Sequence, residues 1–161
     1  ETETPVVLWF CPTNTIKTQT IETLKNPRHP NREVLEKTFA GDILVYDIED
    51  YANVRAQDIE GGKLFISKIE NFDADAVKAG VELLGNKLGD SIIVLASERM
   101  VIAKVSDNFV QKGINAGKIV GEIARATGAN GGGRPNFAQG GVKDVNALDE
   151  ILTKIEADIK G

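Results

Sequence analysis

The spacing of apolar residues becomes legible after about residue 62. Lys63-Leu64-Phe65-Ile66-Ser67-Lys68-Ile69 crowds β-branched and aromatic residues into a short run, which predicts a strand. Val77, Gly80, Val81, Leu84 and Leu88 then recur at the spacing of one helical face, with Asp73 as the predicted N-cap and Gly89 as the stop. Ile92-Ile93-Val94-Leu95-Ala96 is almost continuously apolar, the pattern of a strand covered on both faces. Met100–Val105 reads as a second strand, reached through the tight connection Ser97-Glu98-Arg99.

Two more helices follow. Between Asn115 and Thr127, Ile119, Val120, Ile123 and Ala124 fall on one face, while Lys118, Glu122 and Arg125 share the opposite one. Asp144 is the predicted cap of a last helix whose stripe is Leu148, Ile151, Leu152, Ile155 and Ile159. The fold class is therefore α/β (α+β): a small sheet of β-α-β-β order packed by helices, with a glycine-rich interhelix loop and an N-terminal lobe. In that lobe Val6–Phe10 and Ile43–Tyr46 read as strands. Ile16–Leu24 and Arg32–Phe39 read as helices separated by the break Asn26–Pro30. Residues 1–58 are expected to form an accessory lobe and linker, the acidic tract Asp47–Asp58 serving as the link, and residues 59–161 the main domain.

The length of 161 residues is that of one ordinary domain with an appendage, and no apolar run nears the roughly 18 residues that would cross a bilayer. The chain opens Glu-Thr-Glu-Thr without an initiating Met or a signal pattern, and so reads as a piece of a longer protein. Cys11 is the only cysteine and His29 the only histidine, which removes intrachain disulfides and His/Cys zinc sites from consideration. No cofactor is called for.

The net charge of −5 argues at first against an anionic partner, but the average conceals a segregation. Residues 99–143 carry Arg99, Lys104, Lys112, Lys118, Arg125, Arg134 and Lys143 against Asp107 and Glu122 alone, a local charge of +5 in a chain that is −10 elsewhere. Nine of the sixteen glycines lie in the same stretch, between Gly113 and Gly141, so positive charge and permissive backbone coincide.

The most specific segment is Gly128-Ala129-Asn130-Gly131-Gly132-Gly133-Arg134-Pro135-Asn136-Phe137-Ala138-Gln139-Gly140-Gly141. Successive glycines allow positive φ and let amide groups turn together toward an anion. Arg134 can grip a phosphate bidentately, and Gln139 offers both a donor and an acceptor. Phe137 is either a plug between loop and helix or a platform for a base. The bland alternative is a turn whose glycines merely let backbone pack on backbone. No G-x-G-x-x-G precedes a helix at βαβ spacing, and no Gly-Lys-Ser/Thr opens one, so dinucleotide and P-loop readings are excluded.

The run from Gly131 to Gly141, with Lys112-Gly113-Ile114-Asn115-Ala116-Gly117-Lys118-Ile119-Val120 before it, resembles the glycine-rich C-terminal signature of alanyl-tRNA synthetases. The resemblance extends from about Ile59 to Ile159 and departs in its shorter glycine run and in lacking the long helix expected before Ile59. It implies a domain without chemistry of its own, which binds the outer corner of tRNA and helps aminoacylation and editing act on one tRNA. The full-length parent would be an alanine–tRNA ligase of the cytoplasm or an organelle, with no membrane attachment. Partners would be alanine tRNA, the rest of the synthetase chain and, in some members, a second copy. On this reading the RNA- and phosphate-binding residues are Gly131, Gly132, Gly133, Arg134, Gln139, Lys112, Lys118, Arg125 and Lys143. Two other functions remain open: the substrate-binding half of a DHH-type phosphoesterase, which typically has His where Arg134 stands, and a homodimerisation module.

Overall fold

A computed structural model of the chain describes residues 14–39, 43–46, 50, 52, 55–69 and 74–161. The helices of the N-terminal lobe belong to one compact unit, and everything described from Ala52 onward to a second.

In the first unit α1 spans Asn14–Lys25 and α2 spans Pro30–Phe39. Asn26 Oδ1 accepts the Arg28 N–H at 3.0 Å, which shapes the turn between them. Pro30 opens α2, where its missing N–H costs nothing, and His29 Nδ1 accepts from Asn31 N at 3.2 Å. Arg32 ties the helices together, bonding the Leu24 carbonyl at 3.0 Å and Glu36 at 2.6 Å. The strand expected at Ile43–Tyr46 is not formed: these residues have no regular structure, with Ile43 and Val45 half-buried and Leu44 71% exposed. Val6–Phe10, Asp73 and much of the acidic tract lie outside the described residues.

The second unit is a six-stranded sheet with helices on both faces. Strand β1 (Gln57–Ile59) turns through Glu60-Gly61 into β2 (Gly62–Lys68), with Gly61 at φ +96°. Helix α3 (Ala74–Leu88) crosses over to β3 (Ser91–Ala96), parallel to β2, and β3 hairpins into β4 (Met100–Val105). Short helix α4 (Asp107–Gln111) and helix α5 (Ala116–Ala126) follow, then β5 (Gly131–Gly133), β6 (Phe137–Gly141) and α6 (Asn146–Lys160). The spatial strand order is β1-β2-β3-β4-β6-β5.

The period-two alternation divides the core between the faces. Val94, Ala96, Val101, Ala103, Val105 and Ala138 join the stripes of α5 and α6 in one cluster. Phe65, Ile93, Leu95 and Ile102, equally buried, point to the α3 side, where Gly80 lets the helix come close to Leu95. The predicted faces of α3, α5 and α6 are those buried, with Ile159 packed at the margin. Asn115 caps α5 through its side chain. Asp144 acts one residue before the N-cap Val145, accepting from Asn146 N at 2.9 Å.

A second expectation is overturned. The glycine-rich segment is not an interhelix loop but the hairpin β5–β6, which extends the sheet beyond β4. Because the three glycines carry no side chains, the alternation that marks a strand could not show.

Candidate nucleic-acid interface

The hairpin tip is fixed at three points. Arg134 N donates to Phe137 O at 2.9 Å and Phe137 N to Arg134 O at 3.3 Å, closing the turn Pro135-Asn136. The Pro135 carbonyl accepts the Ala116 N–H of the first turn of α5 at 2.8 Å, and the Asn136 carbonyl accepts Val105 N at 3.0 Å. Arg134 therefore projects an exposed guanidinium from a rigid support.

The glycines do not form the anion cradle expected of them. Gly131, Gly132 and Gly133 are extended, and none has positive φ. Bonded pairs in the hairpin are Arg134 with Phe137 and, from the alternation of an antiparallel ladder, Gly132 with Gln139; Gly141 N donates to Asn130 O at 3.0 Å. Adjacent amides thus point to opposite sides instead of converging. What the missing side chains provide is close approach. A Cβ on Gly131 would stand 2.7 Å from Gly140 Cα and 2.9 Å from Val120 Cγ1, and one on Gly133 would stand 2.6 Å from Ala138 Cα. Gly132 is different: a Cβ there meets nothing within 4 Å, and its cross-strand partner Gln139 is exposed.

The cations separate into engaged and free. Lys112 is engaged: its ammonium donates to the Glu60 carbonyl at 3.2 Å and lies 5.6 Å from the Phe109 ring centroid, clasping the β1–β2 turn. Lys104 pairs with Glu82. Lys118, Arg125, Arg134 and Lys143 are exposed and have no ion pair among the described residues. Arg99 belongs with them. Its carbonyl accepts Val142 N at 2.9 Å, which brings its turn beside Lys143, and only its membership of the basic stretch hinted at this in the sequence.

Glu122, the one acid on the outer face of α5, is paired with Lys154 of α6, which also bonds Asp158 at 2.9 Å. The bond to Glu122, then that to Asp158, raises the Lys154 pKa and keeps its charge in place. The negative charge between Lys118 and Arg125 is thus countered from the neighbouring helix. Phe137 is half-buried beside Lys104, its cross-strand partner, along an open groove that also includes Asn86 and Asn136.

Among the described residues no group of three or more His, Cys, Asp or Glu side chains could hold a metal ion, and no helix is long and apolar enough to cross a membrane.

Residues 61–161 match the model of the DHHA1 domain. The alanine–tRNA ligase of Natranaerobius thermophilus is 32% identical over 151 residues, covering 91% of this chain and 17% of the ligase. That of Nostoc punctiforme is 36% identical over 110 residues, covering 65% of this chain and 12% of the ligase. The chain thus spans less than a fifth of the curated relatives it matches. The crystal structure of the C-Ala domain from Aquifex aeolicus alanyl-tRNA synthetase shares the fold, with a TM-score of 0.58 at 20% identity over 66% of this chain and 98% of that one. Over residues 61–161, from the β1–β2 turn through the glycine hairpin to the closing helix, the chain belongs to the DHHA1 domain family.

Proposed function

We propose that this chain is a tRNA-binding part of an alanyl-tRNA synthetase, contributing affinity and position rather than chemistry. The observation that carries the reading is the set of free cations. Within residues 99–143, Arg99, Lys118, Arg125, Arg134 and Lys143 lack ion pairs among the described residues. Outside it Lys63, Lys68, Lys154 and Lys160 are paired, while Arg28, Lys37 and Lys78 are unpaired among the described residues but are not concentrated in one acid-poor stretch. An exposed guanidinium on a fixed hairpin tip suits a phosphate, and Gln139 with the open face at Gly132 suits a sugar hydroxyl or base edge. Duplex RNA is recognised chiefly by shape and phosphate, so no base-reading code is required. The same reading makes the rest of the synthetase chain a partner, in the cytoplasm or an organelle.

The test is binding to folded alanine tRNA by fluorescence anisotropy. A variant with Lys118, Arg125, Arg134 and Lys143 all changed to Gln should bind on the order of tenfold or more weakly than the parent, because every phosphate it leaves without a cation keeps its condensed counterions. Lys78→Gln, on the exposed face of α3, should leave affinity unchanged. Equal affinity for parent and fourfold variant would overturn the reading.

A further inference from the structure

The hairpin contains a chemical feature that tRNA binding does not use. Asn130-Gly131 is the only Asn-Gly pair in the chain; every other asparagine is followed by a residue with a side chain. Asn130 is exposed, its side chain makes no hydrogen bond to the described residues, and it precedes the first residue of β5. The cross-strand pair Gly131–Gly140 lies between bonded pairs, so the Gly131 N–H faces away from β6 and is not consumed by the ladder.

We propose that Asn130 is a site of spontaneous deamidation, and that the fold itself maintains the reactive pair. The Gly131 nitrogen, having lost its proton to hydroxide, forms a bond to Asn130 Cγ; the Cγ–Nδ2 bond then breaks as Nδ2 takes a proton from water, so that ammonia leaves and hydroxide is regenerated. Water then opens the resulting succinimide at either carbonyl, giving aspartate or isoaspartate at position 130. The reaction needs an unhindered attacking nitrogen, which a glycine supplies. It also needs the Asn130 backbone and side chain to rotate so that Cγ comes within reach of the Gly131 nitrogen. One hydrogen bond, Gly141 N to Asn130 O at 3.0 Å, resists that rotation, and Asn130 itself is exposed just outside β5.

Glycine at 131 is not replaceable, since a Cβ would stand 2.7 Å from Gly140 Cα and 2.9 Å from Val120 Cγ1. The packing of the hairpin under α5 therefore imposes the residue that makes Asn130 reactive. Conversion places a carboxylate in the basic stretch, lowering its local charge from +5 to +4. In the isoaspartyl form it also lengthens the backbone where Asn130 meets Gly141.

The experiment is ageing of the folded protein in mildly alkaline buffer, followed by mass spectrometry of the tryptic peptide 126–143 and enzymatic labelling of isoaspartate. Asn136 lies in the same peptide and serves as the internal standard. The expected result is conversion of Asn130 roughly tenfold or more faster than Asn136, since Gly131 lacks the side chain that shields the amide after Asn136. Asn130→Gln should remove the isoaspartate signal of position 130 and leave only the slower one of Asn136. Conversion at Asn130 in the urea-unfolded chain but not in the folded protein would overturn the proposal, as would equal rates at Asn130 and Asn136.

Discussion

The carbonyl oxygen of Gly133 lies 2.8 Å from where a Cβ on Gly117 would stand. Strand β5 runs back alongside α5, and its two outward carbonyls meet two helical glycines: Gly133 faces Gly117, and Gly131 faces Gly121 at a looser 3.7 Å. The registers match because four helical residues advance about 6 Å and two strand residues about 6.8 Å. Helix α5 thereby shields an edge strand that would otherwise present bare backbone.

Gly117→Ala should accordingly destabilise the domain by about 1–3 kcal/mol, since the obstacle is backbone that cannot step aside. Gly121→Ala meets nothing closer than ordinary van der Waals distance and removes a flexible residue from a helix interior, which favours folding by up to about 1 kcal/mol. Thermal unfolding of the two variants should give shifts of opposite sign, or at least a loss confined to Gly117→Ala. Equal losses would mean that α5 and β5 are not this close.

Thr127, 1% exposed, ends α5 with its hydroxyl bonded to the Ile123 carbonyl at 3.0 Å and the Ala124 carbonyl at 3.1 Å. Its own carbonyl accepts Asp144 N at 3.0 Å, tying the approach to α6. Thr127→Val preserves shape and removes the hydroxyl, and should cost about 1 kcal/mol in denaturant unfolding. Both helical carbonyls keep a backbone donor, so a much larger loss would contradict the packing described.

Glu156 accepts from Lys160 and from Gln57 of β1, and these bonds, the Lys160 bond foremost, hold its carboxyl below the ordinary glutamate range. A depressed folded-state pKa stabilises above the unfolded value, and the contribution is lost as pH falls through the folded one. Glu156→Gln should therefore be slightly less stable than the parent at neutral pH, by about a few tenths of a kcal/mol given its exposure, and should converge with it in acid. Melting temperatures across that range provide the check; a constant gap would remove the assigned role.

The legible part of the fold was the part with side chains to alternate. Leu84 and Leu88 on α3, or Ile119 and Ile123 on α5, mark their faces by spacing alone. Strand β5 could not be read so, because Gly131–Gly133 have no pattern and their pairing depends on Gly117, which lies on another element. Strand β1 is only three residues long and is held by β2. At the site, the exposure of Lys118 and Arg125 follows from helix face and that of Arg134 from turn position, whereas Gln139 is exposed because its strand neighbour Gly132 has no side chain to cover it. The commitment of Lys112 does not, since its acceptor Glu60 is 52 residues away in sequence.

If free cations on α5 and the glycine hairpin hold RNA phosphate, as proposed, the salt dependence of tRNA binding must register each of them. Arg134 is exposed with its guanidinium unpaired, so Arg134→Ala should leave the melting temperature nearly unchanged, within about 0.5 kcal/mol of stability. The slope of log K against log salt should become shallower by roughly 0.7–0.9 in that variant, the value of one neutralised phosphate, and more in the fourfold variant. A slope identical in parent and variants, at undiminished affinity, would show that these cations hold no phosphate and leave the hairpin as packing alone.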